Sequence, residues 1–137
     1  MILLDTSVVS AALRRRSRGD AEQTVARQVA ALLHGEQAVG IPGIVLQEIL
    51  SGIAERAQHE KILAALRAGF PVVLATEGDH LLAADLVTLA ARRGIALSTP
   101  DALIAAQAIN RHAALFTVDA DFAHLSWSGL KLLAPEP

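Results

Sequence analysis

Five carboxylates stand where a scatter of surface charge would not put them. The chain has seven Asp and seven Glu, and most of them suit solvated faces. Asp5 and Asp119 instead follow apolar runs, ILL and ALFTV, that read as strands. In a parallel sheet with right-handed crossovers both emerge on one edge, where ligands gather in open α/β folds. Helices begin on that edge too, so Asp101, in the first turn of the helix opened by Pro100, faces the same way. Asp121 lies two residues beyond Asp119 on the same turn. Glu48 interrupts an otherwise apolar helical run, with Ile44 and Val45 a turn before it and Ser51 and Gly52 a turn after. That pattern suits a crowded, partly buried position, where a charged carboxylate is costly without a cation beside it. Taken singly, each acid has an ordinary reading. Asp101 is a helix-dipole acid, Asp5 a strand-end cap, Glu48 a charge on a solvated rim, Asp121 a turn residue. Their joint placement points elsewhere. Carboxylates converging without His or Cys suit a hard divalent cation such as Mg²⁺, which takes oxygen ligands from a few acids, water and substrate phosphate.

The elements that must position these acids alternate between strand and helix. After Asp5, TSVVSAALR reads as a short helix with Thr6 or Ser7 available as its cap. A basic loop at 14–20 leads to AEQTVARQVAALLHG, helical by the spacing of Val25, Val29, Leu32 and Leu33 and stopped by Gly35. AVGIP, at 38–42, is a short strand. GIVLQEILSGIA and ERAQHEKILAALRAGF are helices, PVVLA a buried strand, and DHLLAADLVTLAARRG a helix ended by Gly94. STPDALIAAQAINRHA opens on Thr99 as cap, with Pro100 at the first helical position. ALFTVDADF is a strand running into an acidic turn, and LKLLA a final strand. This alternation implies one α/β domain over residues 1–137, a parallel sheet with helices on both faces.

The bulk properties narrow the chemistry. There is no cysteine, which excludes disulfides, thiolate metal sites and thiol catalysis and fits a reducing compartment. Hydrophobic residues make up 53% of the chain and aromatics 3%, so Ala, Leu, Ile and Val must build the core. No apolar run approaches the roughly 18 residues of a membrane span. The first apolar run lacks a basic flank and is cut by Asp5, so no secretory signal is expected. The net charge of −2 argues against bulk electrostatic binding to nucleic acid, although a local basic patch is compatible with it.

Four segments carry a resemblance: ILLDTSVV, VLQEILSG, DALIAAQAI and LFTVDADF, running in order from residue 2 to residue 122. DALIAA followed by T-x-D-x-D-F is the specific part, and DTS alone is weak. The sequence resembles the PIN-domain nucleases and, among them, the VapC-type toxins of bacterial toxin–antitoxin pairs. The resemblance implies a three-layer α/β/α sandwich around a central, mainly parallel sheet. It aligns Asp5, Glu48, Asp101 and Asp119 with the family's acidic quartet, and Asp121 with a more variable fifth acid. Thr6 and Thr117 fall on hydroxyl positions that hold ligands or water near the metal. Val118 stands where polar or basic residues are common, which touches no ligand. The implied activity is a Mg²⁺- or Mn²⁺-dependent endoribonuclease that cuts structured RNA such as tRNA or rRNA and leaves a 5′-phosphate. The implied partners are a second copy in a homodimer and a cognate antitoxin, in the cytoplasm. A non-toxin PIN nuclease of RNA processing and a non-catalytic PIN binding module are the alternatives, the complete quartet speaking against the second.

The remaining features are weaker. Arg14, Arg15, Arg16 and Arg18 form the one basic cluster, either solvated surface or a phosphate rail for RNA. The five histidines show no ligand spacing, and Ser7 has no His partner to make it a nucleophile. Trp127 and Phe122 could stack on a base, though packing suits them better. A dehalogenase-type phosphotransferase needs D-x-D-x-T after the first strand, where DTS stands here. A receiver domain needs an acid directly after a middle strand, where PVVLA is followed by Thr76.

Overall fold

Ile2–Leu4 form β1, and all three residues are buried because strands flank it on both sides. A strand covered on both faces needs no polar alternation, which explains the unbroken apolar run. The computed structural model describes residues 1–14 and 19–136. Within them α1 spans Thr6–Leu13, α2 Asp20–His34, β2 Val39–Pro42, α3 Gly43–Ser51 and α4 Arg56–Gly69. Then follow β3 at Val72–Val73, α5 at Glu77–Arg92, α6 at Thr99–Asn110, β4 at Ala114–Phe116, a 3-10 segment at Ala120–Ser128 and β5 at Lys131–Leu133. The strands lie in the order β3-β2-β1-β4-β5, and every pairing is parallel. Right-handed crossovers put α1 to α4 on one face and α5 and α6 on the other. The helices pack as neighbours, α1 on α2 and α5 on α6. Because the order grows outward from β1 in both directions, the switch point lies between β1 and β4. Among the described residues no helix is long and apolar enough to cross a membrane.

Alanine builds much of the core. Ala102, Ala105, Ala106 and Ala108 are buried along α6 together with Ile104, so small side chains let this helix lie close to its neighbours. Gly40 in β2 leaves room for the edge strand, since a Cβ there would meet the Val73 side chain at 2.9 Å. Three local expectations need correction. Asp5 caps α1, accepting from the Ser7 and Val8 amides, where Thr6 or Ser7 was expected. Ser98 caps α6 in place of Thr99, which is the first helical residue. PVVLA yields only the two residues of β3, and these lie on the sheet edge with Val72 exposed. Apolar content alone does not tell an edge strand from a central one.

One polar network joins the edge of the sheet to the helices of the second face. Asp79, at 1% exposure, receives both terminal nitrogens of Arg111, at 3.0 and 2.9 Å, and Nδ2 of Asn110 at 2.9 Å. It also closes a capping box with Thr76 at the start of α5. Arg111 donates in addition to the carbonyls of Gln107 and Leu74, and Gln107 donates to the carbonyl of Val73. Burial works against the charged form of Asp79. The bonds from Arg111, the Thr76 amide and Asn110, with the guanidinium charge, outweigh it and hold the carboxyl well below the ordinary carboxylate range. Arg111→Ala should destabilise the protein by about 3–5 kcal/mol, because it strands a buried carboxylate. The sign of the pH effect follows from the depressed pKa. The ionised pair stabilises fully above the unfolded value near 4 and is lost as pH falls below it. Urea melts should therefore show an Asp79→Asn penalty that is constant from neutrality to about pH 5 and shrinks below about pH 4.

Candidate active site

The acids reach one place because the chain repeatedly ends a strand, or begins a helix, at the same edge. Asp5 leaves β1 and caps α1. Asp119 follows β4 and caps the 3-10 segment, its Oδ1 accepting from the Asp121 amide at 2.9 Å. Asp101 lies in the first turn of α6, its amide held by Ser98 Oγ. Three helical N-termini thus lie on this edge, and the positive ends of their dipoles favour negative charge there. Carboxylate oxygens of Asp101, Asp119 and Asp121 lie within 4.8 Å of one another.

Asp5 sits beneath this cluster, only 3% exposed. Its Oδ1 accepts from the Ser7 and Val8 amides and from Ser7 Oγ at 2.6 Å. Its Oδ2 accepts from Thr117 Oγ1 at 2.7 Å. Thr117 Oγ1 in turn accepts from the Asp119 amide at 2.9 Å, and Ser7 Oγ from the Val118 amide at 3.1 Å. Two hydroxyls thereby bind the β1 and β4 turns into one unit. Ser7, set aside above as a nucleophile, is a positioning residue, and the pattern D-x-S at a helix start was its signal. Glu48, half-buried on α3, accepts from Thr6 Oγ1 at 2.9 Å.

The charges feel one another. Burial pushes the Asp5 carboxyl up; hydrogen bonds from Ser7, Thr117 and the Val8 amide oppose this, and the Asp119 charge adds to it. Burial also raises Asp101 against its Ser98 hydrogen bond, with further upward contributions from Asp119, Glu48 and Asp121. The donor set consists of carboxylates and hydroxyls with no ring nitrogen among them. It fits a hard divalent cation and no soft one.

A PIN domain model matches residues 2–128. The chain belongs to the PIN domain family. No match is found among curated proteins. Among solved structures, this PIN domain is similar to VapBC2 from Rickettsia felis, bound to a DNA fragment from their promoter. That match has a TM-score of 0.78 at 21% identity, over 99% of this chain and 100% of the other. It is similar to FitAcB from Neisseria gonorrhoeae, at 0.78 and 22% over 98% of each chain. A third is VapBC-5 from Mycobacterium tuberculosis, a member of the VapBC family of toxin–antitoxin systems, at 0.67 and 23% over 96% of each.

Within the PIN domain the other singled-out residues fall in distinct places. Arg14 follows α1 and donates to Glu22 at 2.6 Å, while Arg15, Arg16 and Arg18 lie outside the described residues. Phe122 is buried in the core, so it has no free face for a base. Trp127 lies under the Arg93 guanidinium, 4.4 Å from its ring centre.

Asp5→Asn keeps an oxygen for the α1 cap and removes a buried charge. The folded pKa of Asp5 is raised, so the wild type loses stability as pH climbs from about 4 through that value. In chelator the variant should be at least as stable as wild type at pH 7, with its advantage fading as pH falls towards 4. Melting curves across that range check this, and a variant that melts lower at pH 7 would show Asp5 to be indispensable in its charged form.

Proposed function

We propose that this PIN domain is a divalent-metal-dependent endoribonuclease and the toxin of a toxin–antitoxin pair. The observation that carries the reading is the approach of Asp101, Asp119 and Asp121 to within 4.8 Å at the switch point. Like charges gather so closely at a cost, and a cation is what would offset it. Asp101, Asp119 and Asp121 would hold the ion. Asp5 and Glu48, the other two acids of the quartet that the resemblance implies, would add negative charge nearby. A bound Mg²⁺ or Mn²⁺ supplies charge neutralisation at the scissile phosphate and a lowered pKa for water.

The chain's own groups do the rest. Thr117 and Ser7 hold the Asp5 and Asp119 turns in register, so the ligand oxygens are in place before substrate arrives. Thr6 fixes Glu48 by its hydroxyl. Ser98 Oγ holds the Asp101 amide and so fixes this acid at the start of α6. RNA is the substrate implied by the sequence resemblance, with tRNA and rRNA the structured candidates, and the cytoplasm is where they are met. The VapBC relatives support a cognate antitoxin as partner. A homodimer is the assembly that the sequence resemblance implies.

Purified protein incubated with total cellular RNA should produce new 5′-phosphate ends with Mg²⁺ or Mn²⁺ and none in chelator. Asp101→Asn and Asp119→Asn should each lower cleavage by about 10²-fold or more while leaving the fold intact, the scale lost when stabilisation of developing charge is removed. Undiminished, metal-dependent cleavage by both variants would overturn the assignment.

A further inference from the structure

The C-terminal end of α5 comes back to the acids, because residues 93–98 alone join it to the start of α6 and Asp101. Residues 94–97 of that connection line a cleft of about 260 Å³ together with Asp101, Asp121 and His124. Arg93 stands directly before this stretch, with its guanidinium 4.4 Å above the centre of the Trp127 ring. Trp127 Nε1 in turn donates to the His124 carbonyl at 2.7 Å, so the stacked pair is tied to the wall of the cleft. Arg93 is exposed and forms no ion pair among the described residues, although two carboxylates line the cleft it adjoins. A cation that only balanced the α5 dipole would need neither the indole nor this position.

We infer that this cleft takes the nucleotide next to the scissile phosphate, and that Arg93, held flat on Trp127, anchors that nucleotide. The inference rests on the nuclease reading and adds a substrate-positioning residue to it. All five N–H donors of a guanidinium lie in its plane. Stacking on the indole therefore fixes the plane while leaving the fork of donors free for phosphate oxygens. The face turned away from Trp127 is left for a base, since unstacked RNA bases are held on guanidinium planes. A carboxylate of a protein partner would use the donors and leave that face idle. The volume also selects. It is smaller than the roughly 300 Å³ of a pocket for a drug-sized ligand, and a helix about 10 Å across cannot enter it. A base still stacked in a duplex cannot enter either, so the nucleotide taken is unpaired. His124 supplies a ring N–H in either neutral tautomer.

Arg67 provides the control. It is an exposed arginine in the last turn of α4, beside Met1 and Ala38 on the edge where the strands begin. The probe is a fluorescein-labelled single-stranded RNA 12-mer of random sequence, read by anisotropy in an Asp101→Asn background from 50 to 500 mM salt. Arg93→Ala should reduce the log–log slope by about 0.7, so the parent's advantage shrinks about fivefold over that tenfold salt range. Arg93→Lys keeps the charge and should restore the slope, and Arg67→Ala should leave it unchanged. Trp127→Leu should weaken binding about two- to fivefold at every salt concentration with no change of slope. A merely structural Arg93 would move the melting temperature and not the slope. Equal slopes for Arg93→Ala and Arg67→Ala, full affinity in Trp127→Leu, or no binding of the 12-mer would overturn the inference. The cleavage assay above reports on the nuclease reading separately. Cleavage together with an unchanged Arg93→Ala slope would sink the anchor alone; a reduced slope with no cleavage under any cation would sink the nuclease reading.

Discussion

The hydrogen bond from Thr117 to Asp5 joins the ends of the two central strands, and the acid site depends on it. β1 and β4 lie side by side at the switch point, and the turns that follow them carry Asp5 and Asp119. Thr117 Oγ1 donates to one and accepts from the amide of the other, so neither turn can shift alone. Ser7 makes a second cross-link through the Val118 amide. This small hydroxyl network must hold against like-charge repulsion. Unit charges 4.8 Å apart at an effective dielectric near 20 repel by about 3 kcal/mol before solvent relaxes it. Three helical N-termini on this edge lower that cost through the positive ends of their dipoles.

Asp79 and Asp101 show how the same side chain is driven in opposite directions. Both are desolvated, which favours their neutral forms. Asp79 has a guanidinium, an amide and a carboxamide around it and stays ionised. Asp101 has three other carboxylates in its field and one capping hydroxyl, and its pKa rises. The two belong to one mechanical unit, since Arg111, which holds Asp79, follows α6, and α6 delivers Asp101 at its other end. The satisfied acid thus steadies the helix that presents the unsatisfied one. The buried ion pair and the acidic cluster are separated here by about three helical turns.

The alanine-rich interior serves the same purpose. An aromatic-poor core cannot rely on a few large side chains, so it gains burial by close approach of backbones. That is why α6 is lined with buried alanines and why Gly40 of β2 leaves room for the Val73 side chain. The result is a closely packed centre beneath acids that, apart from Glu48 within α3, stand on turns and first helical turns. Side chains on such turns are only as firmly placed as the elements that end there.

The sequence alone determined the class of fold, the edge on which Asp5, Asp101 and Asp119 emerge, and the hard-cation character of the donors. Those follow from periodicity and from acids placed directly after apolar strands or directly inside helices, which are local properties. The tertiary structure alone decided how the acids divide. Asp101, Asp119 and Asp121 come together, while Asp5 is buried beneath them with both oxygens engaged and Glu48 stands to the side on Thr6. It also decided that PVVLA is an edge fragment, that Ser98 rather than Thr99 caps α6, and that Asp79 is bound to Arg111. Apart from the Ser98 cap, which is a local bond to the Asp101 amide, these turn on hydrogen bonds or strand order between segments far apart in the chain, such as Ser7 with Val118 or Asp79 with Arg111. A linear pattern records what each residue prefers, and only packing settles which distant group satisfies it.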